Sequence, residues 1–289
     1  MRPELQAIAD RQGGIVLRQQ ALAAGYSAAE LRALLRPGGD WVAARRGAYA
    51  ERRIIEAASA TDRLIAKDWA AHLVTRVPHF MSHDSAARLH RLPLIESESA
   101  ESHITRPRLS GARNEHGIRH HLARRPVSVE DVGGLIATGM ARTVIDLGRW
   151  HGYAQCVVAA DSALRVGVPR ADLVAELGRE SAWPDTAAVR AAVSFADSGA
   201  DNIAESLSRI LVAELGLGTV HTQFAVLTAD GRIVWCDIRV AATYSSSTAG
   251  SSSRPLIREA WPRSRSSRCS GTSASGNSRS ARSGSACRD

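Results

Sequence analysis

At 289 residues the chain has room for two or three domains, and a hydrophobic share of 44% suffices for cores although only 4% is aromatic. The net charge of +8 sits mostly in the last 49 residues, where eight arginines face Glu259 and Asp289, so the first 240 residues stand near balance at +2. Global basicity therefore fails as evidence for a nucleic-acid partner. Residues 1–53, with nine arginines against five carboxylates, keep a local excess that does count.

Lys67 is the single lysine among 37 basic residues. Cys156, Cys236, Cys269 and Cys287 show no CxxC spacing and no secretory signal precedes them, which fits a reduced cytoplasmic chain better than a disulfide framework. No apolar run approaches the roughly 18 residues that span a bilayer, so no membrane partner is expected.

The first helix is expected over Pro3–Gln12, with Leu5, Ile8 and Ala9 inward. Arg18–Ala24 forms a second, ended by Gly25, whose freedom at positive φ suits a helix stop. Ser27 can cap the third through the amide of Ala29 or Glu30. In that helix Leu31, Leu34 and Leu35 share one face while Arg32 and Arg36 point elsewhere. Pro37-Gly38-Gly39 stops it. Trp41-Val42 can pair with Gly47-Ala48-Tyr49 across Arg45-Arg46. This is the plan of a winged helix-turn-helix over residues 1–53. Arg32 and Arg36 are the candidates for groove contact, with Arg18 and Ser27 at the helix starts and Arg45 and Arg46 on the wing.

A middle α+β domain is expected over residues 54–198. It opens with one long helix from Arg52 to about Ala71, carrying Ile54, Ile55, Ala58, Leu64, Ile65 and Trp69. Ser82 is placed as the cap of a helix over Asp84–His90. His103–Thr105 and Ile118–Leu122 alternate as strands do, with a polar loop between them. Four helices follow, Ala141–Arg149, Tyr153–Arg165, Arg170–Glu180 and Thr186–Ala196, each bounded by Gly or Pro. Asp201–Leu215 is a further helix with Ile203, Leu207, Ile210, Leu211 and Ala213 as its buried set. Strands over Phe224–Leu227 and Arg232–Val240 flank Asp230-Gly231, a hairpin signal. From Ala241 on, 16 serines stand among 49 residues and no period survives, as in a disordered Ser/Arg tail.

Arg11-Gln12-Gly13-Gly14, Gln20-Ala21-Leu22-Ala23-Ala24-Gly25-Tyr26-Ser27 and Arg45-Arg46-Gly47-Ala48-Tyr49 resemble the N-terminal domain of AbiEi-type antitoxins. His83-Asp84-Ser85-Ala86-Ala87, Leu92-Pro93-Leu94, Thr105-Arg106-Pro107 and Ala141-Arg142-Thr143-Val144-Ile145-Asp146-Leu147 continue the resemblance to about residue 170. It implies a winged-helix repressor of its own promoter, and a cognate nucleotidyltransferase-type toxin as a second partner. A nuclease-like domain of the very-short-patch-repair type follows in many relatives, and here its opening is legible over residues 199–240. By that resemblance Glu205 is the helix acid and Asp237 the strand aspartate of a metal site. The second strand carboxylate and the lysine are missing, and two carboxylates hold Mg²⁺ poorly because it demands near-octahedral oxygens. The expectation is a vestigial, non-catalytic module without cofactor. GC-rich codons for residues 244–252 can hide Val-Leu-Glu-Phe-Asp-Gly-Arg-Val-Lys-Phe in a neighbouring frame. Residues 269–279 can likewise hide a basic helix, so the tail reads as the rest of that nuclease out of frame.

Two histidine groups, His79, His83 and His90, then His116, His120 and His121, match no zinc spacing and have no cysteine nearby. They are expected to hold no metal. His83 and His90, seven apart, could share a helical face. Nothing resembles a nucleophile elbow, a P-loop or a dinucleotide fingerprint. Two rivals remain to the DNA-binding antitoxin: a working metal-dependent endonuclease, and a protein-binding antitoxin without DNA affinity.

Overall fold

The computed structural model describes residues 1–95, 101–107, 111, 113–123, 126–179 and 186–241. The chain begins with α1 (Pro3–Arg11), β1 (Ile15–Leu17), α2 (Arg18–Ala23), α3 (Ala28–Leu35), β2 (Trp41–Arg45) and β3 (Ala48–Glu51). Gly25 ends α2 at φ +83. Ser27 then accepts from the Glu30 amide at 3.1 Å while the Glu30 carboxylate accepts from the Ser27 amide at 2.7 Å, a reciprocal cap that satisfies two donors at the start of α3.

The three strands pair antiparallel in the order β1-β3-β2. Alternation along them decides what each side chain meets. Val16, Trp41 and Tyr49 join Leu5, Ala9, Ala21 and Leu31 beneath the three helices. Ile15, Ala48 and Ala50 point the other way and pack with Trp69, Ala70 and Ala71. The core thus runs unbroken across residue 53, where the sequence suggested a boundary.

The single helix expected from Arg52 is two, α4 (Arg52–Ala57) and α5 (Ala60–Val74). Ser59 interrupts it because its hydroxyl accepts from the Asp62 amide at 3.1 Å and starts a new helix.

Next come β4 (Phe80–Met81), α6 (His83–Leu89), β5 (Ser102–Pro107), β6 (Arg113–Glu115), β7 (Ile118–Ala123), β8 (Val129–Val132) and β9 (Leu135–Thr138). They build a mixed sheet in the order β6-β7-β5-β4-β9-β8, in which β5–β7 and β4–β9 are parallel. Three expectations change here. The polar stretch before Ile118 holds β6, turned back on β7 at His116-Gly117. A hairpin of β8 and β9, turning at Gly133-Gly134, stands where none was read. Ser82 precedes α6 but makes no side-chain cap; its hydroxyl meets Thr105 and His83 instead.

Four helices, α7 (Met140–His151), α8 (Tyr153–Arg165), α9 (Arg170–Arg179) and α10 (Thr186–Phe195), lie close to the expected ranges. They gather a core around Val144, Ile145, Leu147, Val157, Leu173, Val189 and Val193. Helices α7 and α8 touch at Gly148, where a Cβ would fall 2.6 Å from the Cys156 sulfur.

Helix α11 (Ile203–Glu214) buries part of the expected face and a polar strip beside it. Ile210 is buried and Leu207 packs against the core as expected, but Leu211 is 55% exposed and Ala213 is exposed, and Glu205, Ser206 and Arg209 are buried. Asp161 explains the polar strip: this buried carboxylate accepts from Ser206 Oγ at 2.7 Å and Arg209 Nη1 at 2.8 Å, which draws both residues inward. The hairpin β10 (Thr219–Leu227) and β11 (Ile233–Ala241) forms its own two-stranded sheet, longer than expected, with a loop closed by Thr228 and Arg232. Residues 242–289, with the Ser/Arg tail and its out-of-frame reading, lie outside the described residues. Among the described residues no helix is long and apolar enough to cross a membrane.

Candidate functional site

Two surfaces carry chemistry. On the first, Arg18, Arg32, Arg36 and Arg46 are all exposed. Leu31, Leu34 and Leu35 turn α3 inward, so Ala28, Ala29, Arg32 and Ala33 form its outer side, while Arg36, expected within the helix, follows its last residue in extended backbone. Glu30 is drawn off that side by Arg2, whose guanidinium bonds its carboxylate at 3.0 Å while lying 4.2 Å over the Tyr26 ring. Arg18 and Arg46, twenty-eight residues apart, share a shallow cleft with Arg76. The Ser27 oxygen accepts from the Glu30 amide in the α3 cap, and its hydroxyl proton remains to be donated outward.

Arg45 does not belong to this surface, contrary to the expectation from the sequence. Its guanidinium donates to the carbonyls of His116 at 2.7 Å and Gly117 at 3.0 Å and to Ser102 Oγ at 2.9 Å. Burial pushes its pKa below the ordinary arginine value. It fastens the β2–β3 hairpin to the turn before β7. Arg46, at the hairpin turn, stays free to face outward and borders a second cleft with Lys67, Arg106 and Arg113.

The two nuclease-like carboxylates differ in their surroundings. Glu205, the helix acid of the resemblance, is 8% exposed. It accepts from the Asp201 amide at 2.8 Å and Asn202 Nδ2 at 2.6 Å, closing the start of its own helix. Asp237 is exposed on β11. The Cys156 thiol is pushed up to about 12 by burial, so it offers no thiolate.

The second surface is a histidine cluster. The parallel register sets Thr105 opposite His121 and His103 opposite Arg119, so His103 and His121 lie on one face of the sheet. His83, the first residue of α6, reaches the same point with φ +49, a conformation rarely adopted by a residue with a side chain. One ring nitrogen from each of the three lies within 4.8 Å of the others. His121 Nε2 is 3.1 Å from His103 Nδ1, and the His83 and His121 rings stack at 3.7 Å. Trp150, at the end of α7, stands edge-on to all three at 5.3–6.0 Å and under the Arg119 guanidinium at 5.0 Å.

Asp84 lies behind them. It is 1% exposed, and its Oδ1 accepts from His151 Nε2 at 2.7 Å. Its Oδ2 has no hydrogen-bond partner and sits 3.9 Å from His103 Nε2. Burial pushes His103 down to about 4 and His121 to about 3, and lowers His83 well below its ordinary value, so all three are neutral near pH 7. Burial opposes ionisation of Asp84, but the His151 bond and nearby positive groups hold its pKa below the usual one.

The sequence missed this cluster because its members come from both rejected groups and from a residue in neither. His90 instead bonds the Thr138 carbonyl at 2.7 Å, sharing no face with His83, and His79 pairs with His72 at 3.1 Å. His116 lies in the exposed turn, and His120 faces the opposite side of the sheet from His121. The period-2 reading of β5 and β7 was the available signal; their parallel pairing was not legible. The chain matches no protein-family model and no curated protein sequence.

Proposed function

We propose that the protein is a sequence-specific DNA-binding repressor of the AbiEi antitoxin type, acting on its own promoter in the cytoplasm. The observation that carries this reading is the order α1-β1-α2-α3-β2-β3 with a capped α3 whose outer side offers Arg32, and with exposed Arg36 directly after its last turn. That order is the plan of a winged helix-turn-helix, in which the second helix of the pair enters the major groove and the hairpin follows the backbone. Ala28, Ala29 and Ala33 keep the outer side low, so the two guanidiniums lead. Arg18 and Arg46 suit phosphates beside the groove. Arg45 leaves the contact set. A nucleotidyltransferase-type toxin, where one exists, is a second partner. The module over residues 199–240 is read as a non-catalytic remnant, its Glu205 tied into a helix cap.

Mobility shift and footprinting on the promoter test the reading. Arg32→Ala and Arg36→Ala should each cost about 1–3 kcal/mol on the specific site if they pair with guanine edges. Arg46→Ala should weaken every sequence alike and flatten the salt dependence. Arg45→Ala should instead lower thermal stability. An unprotected promoter, or four variants that behave identically, would refute the proposal. Retained toxin capture without DNA affinity would favour the protein-binding alternative.

A further inference from the structure

We propose that His83, His103 and His121 bind one divalent transition metal of the zinc type, with Asp84 positioning His103 from behind. Imidazole is the ligand that zinc and its neighbours share, and three of them leave a fourth position for water or a small ligand. Ligands about 2.0 Å from a tetrahedral zinc stand about 3.3 Å apart. The 3.1 Å between His103 Nδ1 and His121 Nε2 is close to such an edge. His83 Nδ1 is 3.1 Å from Ser82 Oγ, which leaves Nε2 as its free nitrogen. Ligation requires the His83 ring, now stacked on His121, to turn toward the point between the other two.

The surroundings of the ligands fit as well as the ligands. A metal on His103 Nδ1 fixes the ring proton on Nε2, directed at Asp84 Oδ2. That oxygen is buried and lacks a hydrogen-bond partner, an expensive state for a carboxylate. A carboxylate behind a ligating histidine is the usual way to set its tautomer and raise its basicity. His151 in turn holds the other oxygen. Trp150, 42% exposed, walls the cluster edge-on to all three rings. A purely structural stack of imidazoles would use the rings but would leave the buried Asp84 oxygen unexplained.

The test uses the full chain stripped with chelator, titrated with Zn²⁺ against a chromophoric chelator, and with Co²⁺ followed by its visible absorption. We expect one equivalent per chain and a tetrahedral Co²⁺ band. His121→Gln and His83→Gln should each weaken Zn²⁺ binding at least 100-fold and abolish the band while circular dichroism remains native. Asp84→Asn, a positioning change, should cost 10–100-fold in affinity. His221→Gln, on exposed β10, and His79→Gln, in the separate His72–His79 pair, should change nothing. Absence of stoichiometric binding overturns the proposal, as does binding lost in His79→Gln but kept in His121→Gln.

Discussion

Asp68→Ala should destabilise the protein by about 3–5 kcal/mol, the largest effect expected of any single substitution here. Asp68 is fully buried in α5 and accepts from Ser85 Oγ at 2.7 Å and from Arg88 Nε and Nη2 at 3.0 and 3.1 Å. Arg88, 4% exposed, is committed to that carboxylate, to Ser85 and to the Glu101 carbonyl, and its Nη1 already lacks a partner. Removing the carboxylate leaves a buried guanidinium uncompensated. Ser85 Oγ also accepts from the His103 amide at 2.8 Å, so the loss reaches β5. Thermal unfolding should show a drop on the order of 10 °C. Asp62→Ala, which breaks the exposed pair with Arg91, should cost less than about 1 kcal/mol. Equal shifts in the two variants would mean that the buried pair is not what locks α5 to α6.

Acid should weaken the fold well before its carboxylates titrate. His72, His79, His83, His103, His120 and His121 are all lowered, with burial the first cause in each. A lowered histidine is neutral in the fold, while the unfolded chain takes up its proton below about pH 6.5. Stability is therefore intact above that pH and is lost as pH falls, down to about 4 for His103 and about 3 for His121. For His103, which is buried, a fall from pH 7 to pH 5 amounts to about 2 kcal/mol. Urea midpoints at the two pH values measure it, and His103→Gln should flatten the difference. An unchanged midpoint between pH 7 and 5 would mean that these imidazoles are not held neutral by the fold.

Local pattern and long-range pairing account for what the sequence revealed and what it hid. Helices α7 to α10 were legible because their apolar periods are regular and Gly152, Gly167 and Pro169 punctuate them. The β8–β9 hairpin was not, since Glu130 and Asp131 give an exposed edge strand the composition of a loop. The face of α11 was legible only in part: Ile210 and Leu207 meet the core as their spacing suggested, but Asp161, remote in sequence, also draws Ser206 and Arg209 inward. Arg45 and Arg46 are the same residue type side by side, and only their places in the hairpin separate an internal clamp from an outward cation. The histidine cluster needs the β5–β7 register and the entry angle of α6, both set by tertiary packing.

Because Ile15, Ala48 and Ala50 interleave with α5, and Arg45 ties the hairpin to the turn before β7, residues 1–53 have no rotational diffusion of their own. Their amides should relax with the slow correlation time of the whole described body, as ¹⁵N relaxation would show, rather than with that of a 50-residue bead on a string. Whatever settles against α3 must therefore accommodate the bulk standing behind it. On a duplex that bulk would shade more neighbouring base pairs than a free-swinging reading head could.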